Sequence, residues 1–232
     1  KKDFVGDVKK VKQHIFEGDI FQLVLSQKFE INSNKNPFDV YRTLRYINPS
    51  PYMYYFNFPD YKIIGSSPEI LVRLQDGKAT VRPIAGTRPR ILDKEEELIK
   101  DLLSDEKELA EHTMLLDLGR NDLGRVCQYN TVKTNALMEI EKYSHVLHIV
   151  SNVDGKLQKD KNSFDLLRAS FPAGTVSGAP KIRAIEIIEE IEPAKRGPYA
   201  GALGYFDFRG NMDVCIIIRT ILAKDKNFYI QA

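Results

Sequence analysis

Residues 70–84 read ILVRLQDGKATVRPI and contain two short apolar runs separated by a turn. The runs cover 70–74 and 79–84, and Gln75-Asp76-Gly77-Lys78 lies between them. Asp-Gly favours the positive φ angles of a tight hairpin turn, so the segment predicts two strands joined by a hairpin. Because a hairpin joins antiparallel strands, the sheet around it is predicted to be antiparallel.

Outward from this hairpin, helix and strand patterns are mixed along the chain. Apolar residues at helical spacing predict helices over 5–16, 37–47, 94–118, 164–170 and 181–191. Alternating or continuous apolar runs predict strands over 21–31, 52–58, 138–143, 145–153, 201–208, 212–222 and 228–231. Because strict β-α-β alternation is absent, the sequence predicts an α+β fold with antiparallel sheets.

Three details of this pattern are specific enough to test. The strand at 21–31 is predicted to bury one face, made of Phe21, Leu23, Leu25, Phe29 and Ile31. Asp105 is predicted to divide the helix at 94–118, because Asp is a favourable N-cap residue. The strands at 201–208 and 212–222 are predicted to form a second hairpin.

The composition excludes several classes of protein. The 232 residues are 43% hydrophobic and 28% charged, which is typical of a globular protein. A net charge of +2 gives neither the basic surface of a nucleic-acid-binding protein nor a cationic membrane-binding face. No apolar run approaches a membrane span, and the first residues do not resemble a signal peptide. The two cysteines, Cys127 and Cys215, are far apart, so we expect a cytosolic protein without a disulfide framework or a thiolate zinc site.

A group of acidic residues in the helix at 94–118 has the spacing of a metal site. Glu108 and Glu111 are three residues apart and lie one above the other on a helix, and His112 is four residues from Glu108. Mg²⁺ suits such a pair, because it takes one or two carboxylates and completes its shell with water and anionic ligands. On spacing alone, a solvated acidic helix face is the more common explanation.

The loop PAGTVSGAPK at 172–181 leads into a helix and has the composition of an anion site. Its glycines allow close approach of the backbone, and a helix N-terminus supplies free N–H groups and a positive dipole end. Thr175 and Ser177 would add hydroxyl donors. The spacing differs from that of a nucleotide P-loop. A tight capping turn is about equally compatible with this segment.

Five further candidates lie on predicted strands or beside them. Arg219 ends an apolar strand and could hold a carboxylate or form a structural ion pair. The other four are Glu69, the Gly86-Thr87 pair, His148 and Tyr199. Glu69 could equally be a surface acid, and His148 alone is more often a core histidine. Taken together, a metal helix, two anion-binding elements, an acid and a histidine suit a small dicarboxylate substrate.

Eight motifs resemble those of the chorismate-utilising enzymes, and among them the anthranilate synthases most closely. The motifs are DIFQLVLSQ (19–27), NPSPYM (48–53), GSSPE (65–69), RPIAGTRPR (82–90), KELAEHTMLLDLGRNDLGRV (107–126), PAGTVSGAPK (172–181), RGPYAGALGY (196–205) and IIIRT (216–220). They occur in order over nearly the whole chain. The resemblance implies a sandwich of antiparallel sheets wrapped by helices, with the active site between the sheets.

The resemblance also implies roles for individual residues. Glu69 would be the general acid, His148 would assist elimination, and Glu111, with Glu108 nearby, would bind Mg²⁺. Chorismate or pyruvate would contact Gly86, Thr87, Thr175, Tyr199 and Arg219. The implied reaction adds ammonia, supplied by a glutamine amidotransferase subunit, to C2 of chorismate and releases pyruvate. Tryptophan would bind as a feedback inhibitor at Pro51, Tyr52 and Met53.

Two positions distinguish this reaction from others in the family. Gln22 stands where isochorismate and salicylate synthases carry a water-activating lysine, and a neutral amide cannot act as that base. Ala85 stands where aminodeoxychorismate synthases often carry a lysine nucleophile, and it has no nucleophilic atom. An aminodeoxychorismate synthase without the lysine, or a fragment that only docks an amidotransferase, remains an alternative.

The resemblance further implies that residues 1–232 are one catalytic domain that is shortened at both ends. The family's N-terminal region, which carries the rest of the tryptophan pocket, is expected before it. A GAG turn and a second Mg²⁺-binding glutamate are expected after it. We therefore expect this segment alone to bind Mg²⁺ weakly.

Overall fold

The computed structural model describes residues 3–143 and 146–232, which form two compact units. The first unit contains the residues up to Glu69 together with Pro172–Leu203 and Cys215–Ala232. The second unit contains Ile70–Phe171 and Gly204–Val214. Among the described residues, no helix combines the length and apolar character that a membrane-spanning helix requires.

Six helices and fourteen strands are present in the described residues. The helices are α1 (Phe4–Phe16), α2 (Pro37–Ile47), α3 (Glu95–Ser104), α4 (Glu106–Gly124), α5 (Ser163–Ser170) and α6 (Lys181–Ile191). The strands are β1 (Gln22–Leu23), β2 (Lys28–Asn32), β3 (Tyr52–Asn57), β4 (Lys62–Ser67), β5 (Ile70–Gln75), β6 (Lys78–Val81), β7 (Ile84–Pro89), β8 (Lys133–Lys142), β9 (Val146–Lys156), β10 (Gly178–Ala179), β11 (Ala202–Phe206), β12 (Met212–Ile216), β13 (Thr220–Lys224) and β14 (Asn227–Gln231).

The first unit contains an antiparallel sheet of five strands in the order β2-β14-β13-β4-β3. Helix α2 packs on this sheet over a buried cluster of Ile64, Ala223 and Phe228. Asn36 caps α2 by accepting a hydrogen bond from the Phe38 N–H. A smaller pair, β1 with β10, lies beside α1 and α6, whose shared core contains Val11, Ile20, Ala184 and Ile187.

The second unit contains most of a seven-stranded sheet in which β11-β12-β5-β6-β9-β7 form the main path and β8 pairs with β9. Helices α3 and α4 cover part of it. Leu102 of α3 and Leu147 and Ile149 of β9 are fully buried together. The long strand β9 therefore supports the residues that α3, α4 and β7 present.

The architecture of mixed helices and antiparallel sheets is as predicted. The hairpin of β5 and β6 turns at Asp76 and Gly77, whose φ angles are 50° and 76°. The predicted helix division is also confirmed, because the Asp105 side chain caps α4 by accepting from the N–H groups of Lys107 and Glu108. Local side-chain chemistry determines both features, which is why the sequence predicts them.

The prediction of one continuous strand over 21–31 is wrong. The segment forms β1, which pairs with β10, and then β2, which pairs with β14. Phe21, Phe29 and Ile31 are 78%, 52% and 53% exposed, so the alternating residues do not form one buried face. The pattern failed because the chain changes partner between the two short strands.

Two other details differ from prediction, and a third lies outside the described residues. The strand predicted over 212–222 breaks after Ile216, and β13 joins the five-stranded sheet from Thr220. Strand β4, which lies between β13 and β3 in that sheet, was not predicted. The predicted start of a strand at His145 lies outside the described residues, and β9 is described from Val146.

Candidate active site

The predicted site residues occur in both units. The first unit carries Glu69, Thr175, Tyr199, Arg219 and the segment 51–53. The second unit carries Gly86, Thr87, Glu108, Glu111 and His148.

Glu69 follows β4, and the pKa of its carboxyl group is strongly shifted. Its backbone carbonyl accepts a hydrogen bond from Ile216 N at 3.0 Å, which fixes the chain at this point. The residue is half-buried, but protein atoms surround its carboxyl group. Desolvation raises the pKa of Glu69 to about 7, although Thr175 and Arg219 oppose the shift. At neutral pH this carboxyl group is therefore about half protonated.

Thr175 lies in a short 3-10 turn beside this carboxyl group. Its Oγ1 atom is buried and has no hydrogen-bond partner within the usual distance among the described residues, yet it is near enough to lower the pKa of Glu69. A buried hydroxyl group without a partner is costly, so Thr175 Oγ1 is available to bond the neighbouring Glu69 carboxyl group or a ligand oxygen. Ser177 differs, because its hydroxyl donates to Ala173 O at 2.7 Å. Its prediction as an anion donor is wrong, since its single proton is already used.

Arg219 lies at the break between β12 and β13. Its φ angle is 50°, a left-handed backbone conformation that residues other than glycine adopt at a cost in free energy. Its carbonyl accepts a hydrogen bond from Ser66 N at 3.2 Å, which holds the bend in place. The positive charge of Arg219 lowers the pKa of Glu69, so the two side chains interact electrostatically. A strained residue with an Arg side chain at this bend is consistent with a binding role.

Tyr199 lies in the bend that precedes β11. The guanidinium group of Arg196 lies over its ring, 5.4 Å from the centroid. Burial raises the pKa of the Tyr199 phenol, which therefore keeps its proton at neutral pH. The side chain can donate a hydrogen bond to an anionic ligand.

The segment predicted to bind tryptophan begins the edge strand β3. Pro51 is exposed, whereas Tyr52 and Met53 are half-buried. Tyr52 and Met53 pair with Ser67 and Ser66 of β4, which are fully buried. The segment therefore lies at a sheet edge where one neighbouring strand supports it.

His148 of β9 is held by the β7 residues that the sequence singled out. Its Nδ1 atom lies 3.0 Å from Thr87 Oγ1 and 3.2 Å from Gly86 O. A carbonyl oxygen only accepts, so we assign the proton of the neutral ring to Nδ1 and the basic lone pair to Nε2. Tyr143 packs edge-on against the ring, with centroids 5.4 Å apart. The imidazole is thus fixed in a tautomer and an orientation suited to a base.

Gly86 is required by the geometry of this β7 segment. Its φ angle is +75°, at an irregularity in the pairing of β7 with β9. An added Cβ atom would lie 3.1 Å from methyl groups of Leu102 and Ile149. Both the backbone conformation and the close core packing therefore favour glycine here.

We expect Gly86→Ala to lower the free energy of unfolding by about 1–3 kcal/mol and to reduce activity, because the His148 acceptor carbonyl would move. Gly77→Ala is the matched control. Gly77 has nearly the same φ angle, +76°, but an added Cβ atom would meet nothing within 4 Å. Thermal or urea unfolding and steady-state kinetics measure both effects. Equal destabilisation of the two variants with full activity would contradict this role of Gly86.

The predicted metal ligands lie in the first turns of α4, next to an arginine that sequence reasoning missed. Arg88 donates to Asp101 at 2.6 Å and to Asp105 at 2.8 Å, and it lies 3.6 Å from Glu108 Oε1. The guanidinium group therefore ties β7 to the capped end of α4. It also orients Glu108, and Glu111 lies one turn further along the same helix.

His112 does not belong to this acidic face. It is fully buried, and its Nε2 atom lies 2.7 Å from Ser151 Oγ. Burial lowers the pKa of His112, so the imidazole is neutral at pH 7. The residue is part of the core of the second unit.

The donor set of Glu108 and Glu111 fits Mg²⁺. Both supply hard carboxylate oxygens from one face of α4, and Mg²⁺ needs only one or two of these when substrate and water complete its shell. Another group in the first unit, His14, Glu17 and Asp19, also has atoms at metal-ligand spacing. There Asp19 already pairs with His14 at 2.8 Å and with Arg183 at 3.4 Å. We assign no metal to that group.

Comparison with known sequences identifies relatives over the whole chain. The family model for chorismate binding enzymes matches residues 1–232. Anthranilate synthase component 1 of Acetivibrio thermocellus is 60% identical over 234 residues, covering 100% of this chain and 47% of that protein. The chain therefore spans about half the length of the curated relatives that it matches.

Solved structures show the same fold. The crystal structure of anthranilate synthase component I from Streptococcus pneumoniae TIGR4 matches with a TM-score of 0.92 and 49% identity, covering 98% of this chain and 51% of that chain. The menaquinone-specific isochorismate synthase of Escherichia coli matches with a TM-score of 0.89 at 23% identity, covering 98% of this chain and 53% of that one, and it supports the fold alone. On the sequence match over its whole length, the chain belongs to the chorismate binding enzyme family.

Proposed function

We propose that this chain is the chorismate-converting part of an anthranilate synthase. In the reaction, chorismate and ammonia give anthranilate, pyruvate and water. The observation that carries the proposal is the enclosed Glu69 carboxyl group, whose pKa of about 7 lets it supply a proton at neutral pH. The 60% identity to a protein named anthranilate synthase component 1 supports the choice of reaction.

Glu69 protonates the hydroxyl group that leaves chorismate as water while ammonia forms the new bond at C2. A carboxylic acid with a pKa near the working pH is efficient in this role, because it is both sufficiently populated and sufficiently acidic. Thr175 and Arg219, which lie against Glu69, would bind the carboxylates of the substrate. The phenol O–H of Tyr199, which stays protonated, would donate a hydrogen bond to the substrate.

His148 takes the C2 proton in the second step, while the C3–O bond breaks and the ring becomes aromatic. The released enolpyruvate gains a proton from solvent at its methylene carbon and becomes pyruvate. The Nε2 atom of His148 holds the basic lone pair because Nδ1 donates to Gly86 O. Thr87 and Gly86 thus orient this base in addition to their expected contact with substrate. Each proposed role rests on contacts within one unit.

Glu111 would bind Mg²⁺ directly, and Glu108, oriented by Arg88, would bind it through water. When bound, the ion neutralises a substrate carboxylate and so favours its binding beside acidic side chains. The positive charge of Arg88, 3.6 Å from Glu108 Oε1, offsets part of the negative charge of this acidic turn.

Two side chains support amination over the other reactions of the family. Gln22 lies half-buried in β1, and its amide cannot activate water as a lysine would. Ala85 of β7 cannot form a covalent bond to the substrate.

The proposal includes the partners that the resemblance implies. The relatives are named component 1, which implies a partner subunit, and we propose that it is a glutamine amidotransferase that supplies ammonia. Tryptophan would bind at Pro51, Tyr52 and Met53 as a feedback inhibitor. The proposed location is the cytosol.

The test is to incubate the full-length protein with chorismate, an ammonium salt and Mg²⁺ and to identify products by fluorescence and mass. We expect anthranilate and pyruvate in equal amounts, with a loss of about 10²-fold or more in kcat/KM for Glu111→Gln. Aminodeoxychorismate without pyruvate, or isochorismate, would overturn the proposed reaction. Binding of the amidotransferase without turnover would favour a docking role instead.

A further inference from the structure

A buried ion pair between Glu192 and Arg196 follows the end of α6 in the first unit. Arg196 Nε donates to Glu192 Oε2 at 2.9 Å, and Nη2 donates to Oε1 at 2.6 Å, so the pair is bidentate. Only 4% of the Glu192 side chain and 16% of the Arg196 side chain are exposed. The backbone N–H and the hydroxyl of Ser26 each donate to Glu192 Oε1 at 2.8 Å. The carboxylate therefore holds the guanidinium group in one orientation.

The same guanidinium group joins two segments that are far apart in sequence. Nη1 donates to Val176 O at 2.5 Å, and Nη2 donates to Val24 O at 2.7 Å. Val24 N also donates to Ser177 O at 2.9 Å, so the segments are fixed on both sides. The Tyr199 ring lies under the guanidinium group at 5.4 Å.

These contacts lie next to Thr175 and Tyr199, two residues to which the proposed function gives a role in binding chorismate. Val176 follows Thr175 directly, and Tyr199 contacts the guanidinium group itself. We propose that Arg196, oriented by Glu192, is the positioning residue that places Thr175 and Tyr199 for chorismate binding. The inference rests on the proposed function for the role of Thr175 and Tyr199, but the contacts that carry it are independent of the reaction.

Arg196→Lys tests the proposal because lysine keeps the charge but lacks the planar fork that reaches Glu192 and two carbonyls together. We expect KM for chorismate to rise about tenfold or more, whereas KM for ammonium stays unchanged. Arg183→Lys is the matched control. Arg183 is on α6 and pairs with Glu186 at 3.0 Å, and we expect wild-type kinetics from this variant.

A second readout is the pH dependence of kcat, which reports on Glu69. Thr175 and the positive charge of Arg219 both lower the pKa of Glu69. If Arg196 holds Thr175, then Arg196→Lys and Thr175→Val both move the alkaline limb of the kcat–pH profile to higher pH. The double variant should shift it no further than Thr175→Val alone, because both changes remove the same contact. A general loss of stability would not produce this pattern.

A third readout does not use activity. Without substrate, amide hydrogen exchange in residues 173–179 should be faster in Arg196→Lys than in the wild type. If Arg196→Lys does not fold, Glu192→Asp keeps both charges but displaces the guanidinium group, and the same three changes are expected. The inference would be overturned if a folded variant showed the wild-type KM for chorismate, the wild-type kcat–pH profile and wild-type rates of amide hydrogen exchange. A wild-type protein that makes no anthranilate would overturn the proposed function, and faster exchange would then still support the positioning contact.

Discussion

Glutamine in place of Glu69 is expected to lower kcat by about 10²–10⁴-fold, because an amide cannot supply the proton that the leaving hydroxyl group requires. KM for chorismate should change little, since the amide has the same shape as the neutral acid. Steady-state kinetics of the full-length protein with chorismate and ammonium give both values. Glu189→Gln is the control, because Glu189 is an exposed carboxylate on α6 and should not affect either constant.

The same substitution has an expected effect on the pH dependence of stability. The pKa of Glu69 is raised from 4.5 to about 7 in the folded protein, so the neutral form is favoured there. Its stabilising contribution is full below the unfolded-state pKa and is lost as the pH rises through the folded-state pKa. Glutamine stays neutral, so Glu69→Gln should lose less unfolding free energy than the wild type as the pH rises from 4.5 to about 7.

For the kinetic prediction, a kcat of Glu69→Gln equal to that of the wild type would contradict the role of Glu69 as an acid.

Arg219→Gln is expected to lower kcat/KM for chorismate by about 10²–10³-fold, mainly through KM, because it removes the side chain that is proposed to hold a substrate carboxylate. Arg219 also lowers the pKa of Glu69. Without that positive charge the pKa of Glu69 rises, so the alkaline limb of the kcat–pH profile should move to higher pH. Kinetics between pH 6 and about 9 would measure both changes.

Two variants at the same position separate binding from folding. Arg219→Lys keeps the charge and should keep the pH profile, although the bidentate contact is weakened. Arg219→Gly removes the side chain from a residue with a φ angle of 50°, so we expect unchanged or higher stability, by up to about 1 kcal/mol, together with the same loss of binding. If Arg219→Gly binds chorismate as the wild type does, Arg219 is not a substrate residue.

The sequence predicts best where neighbouring residues determine the conformation. The turn at Asp76-Gly77 and the cap at Asp105 depend on side chains next to the backbone that they fix, and both are confirmed. The break at Arg219 was not predicted, because the apolar run that precedes it is compatible with a longer strand. There the chain changes sheets, which is a property of tertiary pairing.

In the candidate site, too, the sequence predicts what local motifs determine and misses what depends on tertiary contacts. Glu69, Arg219 and His148 were identified through motif resemblance, whereas their spacing alone left ordinary structural roles open. Arg196 was not singled out, because its carbonyl partner in Val24 is 172 residues away in the chain. No local pattern can show such a contact. The resemblance predicts site residues, and the structure shows the contacts from which a positioning role for Arg196 is proposed.

The proposed reaction requires that Glu69 carries a proton near neutral pH. The pKa of Glu69 can be measured by ¹³C NMR titration of glutamate side-chain carboxyls in the full-length protein, with the Glu69 signal assigned by its loss in Glu69→Gln. We expect an apparent pKa of about 7 for this carboxyl group. A titration near the ordinary value of 4.5 would mean that the group is ionised at neutral pH, and it would contradict the proposed proton donor.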